Sequence, residues 1–489
     1  MRIALRACIA LLLCARASAG QPNWIVLQDE NFRVYSSASE RATREMLNQF
    51  ELIRGFFSQV TAAKPAKAQP VCVMIFGSEK EYQPYRLNSY ATAYYARRSD
   101  GDYIVVGKLG EGSMQIVSHE YTHLAFAHAG YSLPPWLNEG IAELFSTLHP
   151  QGEFTLYGDV LPGRLQELDA GSWVPLQTIL AADQHSPYYN ESSKAGSLYD
   201  EGWALVHMLA TSDEYRVKFW DVVKQVNAGA DSVAALEKAY GMPLAKLEDT
   251  LKWYVGGNRF NQLKTKIALR NTEQLTVQPA DLFDVRAVQA ALLTELPGKK
   301  DEARTRLEEL VHEDGQRPGP WASLGYLAWR DGHEDQAVEY LGKAFDRGNR
   351  NPRLLLDYAR LSQASDRNRS IAALQALLEA EPANVDARQF LAGLQMSDER
   401  YADALATLKP IVFVKSPEER DNLLYLRAFA YLQLKDLGSA CWNADHLARA
   451  TSAENMRTQA DYVLRACRTG ADSGSKAKAT RPAAAAHNQ

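Results

Sequence analysis

Hydrophobic and polar positions change rhythm along the chain. After a short apolar run at Ala7–Ala15, the stretch from Trp24 to Val106 mixes two periods. Runs rich in β-branched and aromatic residues at Trp24–Leu27, Phe32–Tyr35, Val71–Phe76 and Tyr103–Val106 predict strands. Between them, Met46, Phe50, Ile53 and Phe57 recur at helical spacing and predict a helix over Glu40–Val60. From Ser113 to about Arg259 the period is mostly helical. Pro162, Gly163, Gly171 and Pro187 mark Leu161–Ser193 within it as loop-rich. Strands first and helices after predict an α+β arrangement. From about Asp281 the pattern is helical throughout.

That last region repeats. Small alanines recur at Ala303, Ala337, Ala372, Ala404 and Ala440, at intervals of 34, 35, 32 and 36. The clearest unit carries Trp321, Leu324, Gly325, Ala328, Ala337, Leu341 and Ala344, and Pro382 falls where a later helix should end. This resembles the tetratricopeptide repeat, in which small residues let two helices approach closely. An unrelated helical bundle is the plainer alternative. Four to five such units imply an all-α solenoid, whose usual work is to bind a protein or peptide.

At 489 residues the chain has length for two to four domains. With 46% apolar and 23% charged residues it is neither disordered nor fibrous. A formal charge of −5, with no basic cluster, gives no reason to expect a nucleic-acid partner. Arg2 and Arg6 precede the first apolar run, and Ala17-Ser18-Ala19 follows it. This is the layout of a signal peptide over residues 1–19, so export to a periplasm or the medium is expected. No other run suggests a membrane span. Of the remaining cysteines, Cys441 and Cys467 could pair if their helices are neighbours, and Cys72 reads as a buried strand residue. The tail at 470–489 is rich in small residues and lysine and is expected to be disordered.

One constellation carries chemistry. His119-Glu120-Tyr121-Thr122-His123 reads H-E-x-x-H. Residues four apart share a helix face, so both imidazoles can reach one metal ion, with Glu120 beside it as a proton acceptor. Gly110, Gly112 and Ser113 precede the helix, Ser113 as a possible cap, and Gly130, Pro134 and Pro135 end it. Ile116, Val117, Leu124 and Phe126 are expected to embed it. Two histidines cannot complete a catalytic zinc site, which takes three protein ligands. Pro135-Trp136-Leu137-Asn138-Glu139-Gly140-Ile141-Ala142-Glu143 begins twelve residues after His123. Glu139 is the natural third ligand. Glu143, one turn on, is expected to accept a hydrogen bond from His119 and so orient its ring. His128 stands one residue short of the metzincin third-histidine position and is rejected as a ligand.

Together these segments resemble gluzincin metallopeptidases of the peptidase-MA type, which include thermolysin-like and aminopeptidase-N-like enzymes. The resemblance covers Ser113 to about Leu148 and extends to Leu198-Tyr199-Asp200-Glu201-Gly202-Trp203-Ala204-Leu205-Val206-His207. In aminopeptidase-like members a tyrosine in Tyr-x-x-Gly at a helix start steadies the tetrahedral intermediate, and Tyr199 matches that place. His207 reads as a core or supporting residue. The Gly-x-Met-x-Asn-type strand of aminopeptidases is missing, and Ser89–Arg98, a possible substrate-pairing edge strand, carries no carboxylate. Both departures favour an endopeptidase.

The expectation is therefore an α+β zincin-like metallopeptidase domain, with residues 20–112 as its α+β part and 113–265 as its helical zinc-binding part. A tetratricopeptide-like solenoid over 281–469 follows. His119, His123 and Glu139 would hold Zn2+, Glu120 would serve as general base, and Tyr199 would donate to the oxyanion. A peptide or protein is the expected substrate, with a further protein partner on the repeats. Two alternatives stand beside it. One is a non-catalytic periplasmic scaffold with a structural or vestigial zinc site. The other is a zinc hydrolase acting on a non-peptide bond.

Overall fold

The computed structural model describes residues 23–61, 70–88, 91–110, 112–169, 173–190, 192–267, 272–414 and 416–469. The leader at 1–19 and the tail at 470–489 lie outside them, as do Ser89, Tyr90 and Gly171. The chain divides into two compact units, 1–98 with 102–286 and 99–101 with 287–489.

The first unit opens with β1 (Ile25–Gln28), β2 (Phe32–Ser36), α1 (Glu40–Thr61), β3 (Val71–Ile75), α2 (Glu79–Tyr82), β4 (Ala93–Arg98) and β5 (Gly101–Val106). With β9 (Gln278–Pro279) these strands form a six-stranded sheet in the order β4-β5-β3-β2-β1-β9. β3 runs parallel to both β2 and β5, while β1 is antiparallel to β2 and β9. Parallel central strands are covered on both faces, which is why β3 and β5 read as apolar runs. Cys72, expected to be buried, is half-buried in β3. On α1, Met46, Phe50, Ile53 and Phe57 are all buried, as their spacing predicts.

Next come α3 (Ser113–His128) and α4 (Pro135–Ser146), then the hairpin of β6 (His149–Gln151) and β7 (Phe154–Tyr157), which β8 (Leu263–Thr265) extends to three strands. The loop-rich segment contains short helices α5 (Pro162–Asp169), α6 (Leu176–Ala181) and α7 (Pro187–Asn190). Four longer ones follow: α8 (Ser192–Thr211), α9 (Arg216–Asn227), α10 (Ser232–Tyr240) and α11 (Leu244–Gly256). Two packing relations position the site. Tyr121 of α3 packs against Phe32 and Phe50, with ring centroids 5.5 and 5.6 Å away, which seats α3 on the sheet and α1. Val117, Leu124 and Phe126 are buried with it, while Ile116 is only half-buried. α4 then meets α8 at two glycines. A Cβ on Gly140 would stand 2.5 Å from Gly202 O, and one on Gly202 would stand 3.0 Å from Trp136 O.

α12 (Leu282–Leu293) leads into the second unit. There α13 (Lys300–Glu313), α14 (Pro318–Arg330), α15 (Glu334–Asp346), α16 (Pro352–Ser362), α17 (Arg367–Ala380), α18 (Val385–Ser397), α19 (Tyr401–Leu408), α20 (Pro417–Gln433), α21 (Leu437–Ala450) and α22 (Glu454–Thr469) follow one another. Pro318, Pro352 and Pro417 open their helices, where a missing N–H is no loss. Asp366, Asn384 and Asp436 cap others through their side chains. Successive helices pack in pairs, α14 with α15, α16 with α17, α18 with α19 and α20 with α21. The unit is all-α and resembles tetratricopeptide repeats. Gly325 explains the closeness of one pair, since a Cβ there would lie 2.7 Å from Leu341 Cγ. The alanine register needs one correction. Ala303, Ala337, Ala404 and Ala440 are fully buried, but in the third unit the buried residue is Ala373 rather than Ala372. Cys441 and Cys467 form a disulfide joining α21 to α22.

Candidate metal centre and its cavity

α3 is anchored to the core through one face and presents His119, Glu120 and His123 on another. α4 begins at Pro135, whose ring suits the first helical position, and Trp136, Leu137, Ile141, Leu144 and Phe145 bury its apolar face. Glu139 then faces α3. Nε2 of His119 and Nε2 of His123 are 3.1 Å apart, and Glu139 Oε2 lies 3.3 and 3.4 Å from them. Ligands held at ~2.0–2.2 Å in a tetrahedron are separated by roughly 3.3–3.6 Å. The three atoms therefore stand close to three corners of such a tetrahedron, and two imidazoles with one carboxylate are a zinc-type donor set.

The electrostatics agree. Burial alone would pull the His123 imidazole down, but the hydrogen bond and charge of Glu139 outweigh it and raise it to about 9. Burial would push the Glu139 carboxyl up, but His119 and His123 hold it well below the usual carboxylate range. His123 and Glu139 favour a shared proton, which a divalent cation would displace.

All six residues singled out in the sequence, His119, Glu120, His123, Glu139, Glu143 and Tyr199, line one cavity of about 1670 Å3. Glu120 Oε2 accepts the backbone N–H of Tyr95 at 3.1 Å, which ties the carboxylate to β4 at the sheet edge. Ala93, Tyr94 and Tyr95 of that strand line the cavity as well.

Three local expectations need correction. Glu143 makes no hydrogen bond to His119; its Oε1 accepts from Arg164 Nη2 at 2.6 Å instead. Arg164 is a permanent planar cation and outcompetes a neutral imidazole for a buried carboxylate. Tyr199 lies well inside α8 rather than at its start. Ser113 does not cap α3, because Gly112 occupies that position and the Ser113 hydroxyl accepts from Gly110 N.

Arg164 itself is the residue that sequence reasoning missed. It donates to Glu143 and, through Nη1 at 3.0 Å, to Asp200, and its guanidinium lies 5.1 Å from the Tyr199 ring centroid. His128, rejected as a ligand, pairs with Asp102 at 2.6 Å, and Asp102 also accepts from the Tyr95 hydroxyl. His207 is a core residue. Its Nε2–H donates to Gly158 O and its Nδ1 accepts from the Tyr254 hydroxyl, both at 2.8 Å.

No family model and no curated protein matches the chain. Solved structures do. A thermophilic TPR protein of Thermus thermophilus is 18% identical over 37% of this chain and 99% of its own, with a TM-score of 0.24. A tetratricopeptide repeat protein of Parabacteroides merdae is 14% identical over 53% of this chain and 100% of its own, with a TM-score of 0.25. Yeast Tom70 is 11% identical over 73% of this chain and 82% of its own, with a TM-score of 0.21. No described helix is long and apolar enough to cross a membrane.

Proposed function

We propose that this chain is an exported zinc-dependent metallopeptidase, with a repeat unit that engages a protein partner or substrate. His119, His123 and Glu139 would hold the ion. When bound, zinc would supply Lewis acidity, polarising the scissile carbonyl and easing the ionisation of water. Glu120 takes the proton from the attacking water and passes it to the leaving amine. Tyr199 donates its phenolic hydrogen to the developing oxyanion. β4, the outermost strand of the sheet, binds an extended peptide, which brings the substrate backbone beside Glu120. Arg164 holds Glu143 and keeps α5 against α4 and α8. The disulfide of the second unit supports export, since such bonds are rare in reducing compartments.

The observation that carries this reading is the convergence of three ligand atoms with Glu120 in one large cavity. A purely structural metal site needs neither the cavity nor the base. A second reading rests on the paired helices of the second unit: a scaffold in which a metal braces the first unit. Metal content and casein hydrolysis, measured for wild type beside Glu120→Gln, separate the two. One zinc per chain in both proteins, with hydrolysis in wild type only, supports the peptidase. Zinc in both without hydrolysis of casein or of a peptide library supports the scaffold. No zinc in either, after zinc is supplied, overturns the site.

A further inference from the structure

The second unit contains a cavity of its own, of about 750 Å3, walled by α19, α20 and α21. Its origin lies in a helix length. α15, α17 and α21 have 13, 14 and 14 residues, whereas α19 has 8. The chain leaves α19 more than a turn early, so the side of α20 that carries Arg427 and Tyr431 is left half-buried beside α21.

The lining has a consistent chemistry. It holds two cations, Lys409 and Arg427, and no carboxylate. Neither cation takes part in an ion pair among the described residues, and Arg427 spends Nη2 on the carbonyls of Leu408 and Ile411. Asn443 is buried. Its Nδ2 donates to Ser439 O at 2.8 Å, which fixes the amide orientation, and its Oδ1 has no donor among the described residues. Trp442 lines the same cavity with 58% of its surface exposed, and just beyond Lys409 stand Val412 and Phe413, 95% and 73% exposed. The site thus offers uncompensated positive charge, a buried acceptor in need of an N–H, and an aromatic face.

We propose that this cavity binds an acidic peptide segment of a partner protein. A side-chain carboxylate sits between Lys409 and Arg427, a backbone N–H of the peptide reaches Asn443 Oδ1, and an adjacent apolar side chain lies against Trp442. An inorganic anion would satisfy the cations but would leave the aromatic surface uncovered. A neutral apolar peptide would leave the cations without partners.

Fluorescence anisotropy on the full chain tests this with a fluorescein-labelled probe of sequence Glu-Asp-Phe-Asp-Glu, its C-terminus amidated, beside the uncharged isostere Gln-Asn-Phe-Asn-Gln. The acidic probe should bind at least tenfold more tightly than the isostere. Lys409→Glu and Trp442→Ala should each weaken it at least tenfold while leaving the melting temperature unchanged, because both side chains are exposed. Equal affinity for the two probes, no binding of the acidic probe up to 1 mM, or unaltered binding by both variants would overturn the proposal. Sedimentation of the wild type covers the remaining occupant. Self-association that Trp442→Ala abolishes would identify a second copy of the chain in the cavity and overturn it too.

Discussion

Arg164 Nη2 lies 2.6 Å from Glu143 Oε1, one helical turn beyond the candidate metal ligand Glu139. The same guanidinium reaches Asp200 on α8 and lies over the Tyr199 ring. One cation therefore bridges the helix that carries the candidate ligand Glu139 and the helix that carries Tyr199. Burial alone would lower its pKa, but Glu143 and Asp200 together raise it, so the charge is permanent. Arg164→Met should leave two buried carboxylates uncompensated. Breaking a buried pair typically costs 3–5 kcal/mol, and with about a third of the Arg164 side chain exposed the expected loss is about 2 kcal/mol. Urea unfolding measures it. Casein hydrolysis should fall more than tenfold with zinc content unchanged. Arg164→Lys should recover only part of this, since an ammonium lacks the planar fork that spans two carboxylates.

What the sequence disclosed and what it hid follow from range. The convergence of His119, His123 and Glu139 was legible because helical periodicity and the spacing of α3 and α4 constrain them locally. The buried stripe of α1 and the small residues of α14 and α15 were legible for the same reason. Arg164 was not. It lies in a segment broken by proline and glycine, and its partners are 21 and 36 residues away, so no period links them. The role expected of Glu143 failed with it, because the competitor for its carboxylate was invisible. β4 falls within Ser89–Arg98, the segment read as an edge strand, whereas β9 was missed because two residues carry no period at all.

Gly140 gives a sharper test of how the site is positioned. A Cβ there would meet Gly202 O at 2.5 Å and Val206 Cγ2 at 2.6 Å. The first is backbone and cannot turn aside, so Gly140→Ala must push α4 away from α8. Overpacking of this kind costs about 1–3 kcal/mol. Glu139 is the neighbouring residue, so zinc affinity should fall as well, by about tenfold or more. Calorimetric zinc titration and thermal unfolding read the two effects separately. Unchanged zinc affinity in a destabilised protein would show that the α4–α8 contact does not position Glu139.

Metal should stabilise the first unit by mass action. A ligand that binds only the folded state at 1,000 times its Kd adds about 4 kcal/mol. Zinc should therefore raise the melting temperature of the wild type, and a chelator should reverse the rise. Glu139→Gln keeps the shape of the side chain but removes its charge, and should lose most of the shift. Glu120→Gln should keep it, because Glu120 is not one of the three converging ligands. A shift of equal size in Glu139→Gln would remove that carboxylate from the donor set.

Two buried groups of α8 act on stability with opposite sign over overlapping pH ranges. Burial lowers the His207 imidazole to about 4, so the folded state prefers it neutral. Its contribution is fully present above the unfolded value of about 6.5 and is lost as pH falls toward 4. Glu201 is the reverse case. Burial raises its carboxyl to about 7 against the hydrogen bond donated by Val174 N, so the folded state prefers it protonated. That stability is present below the unfolded value near 4.5 and is lost as pH rises through 7. Glu201→Gln cannot ionise. Relative to wild type it should gain on the order of 3 kcal/mol between pH 4.5 and pH 8, at 1.36 kcal/mol per unit of pKa. Urea unfolding of both proteins at the two pH values measures that difference. A difference that does not change with pH would mean that folding does not raise the Glu201 carboxyl above its unfolded value. In the wild type the two effects nearly cancel between about pH 4.5 and 6.5, so the acid-side decline caused by His207 should emerge in the variant.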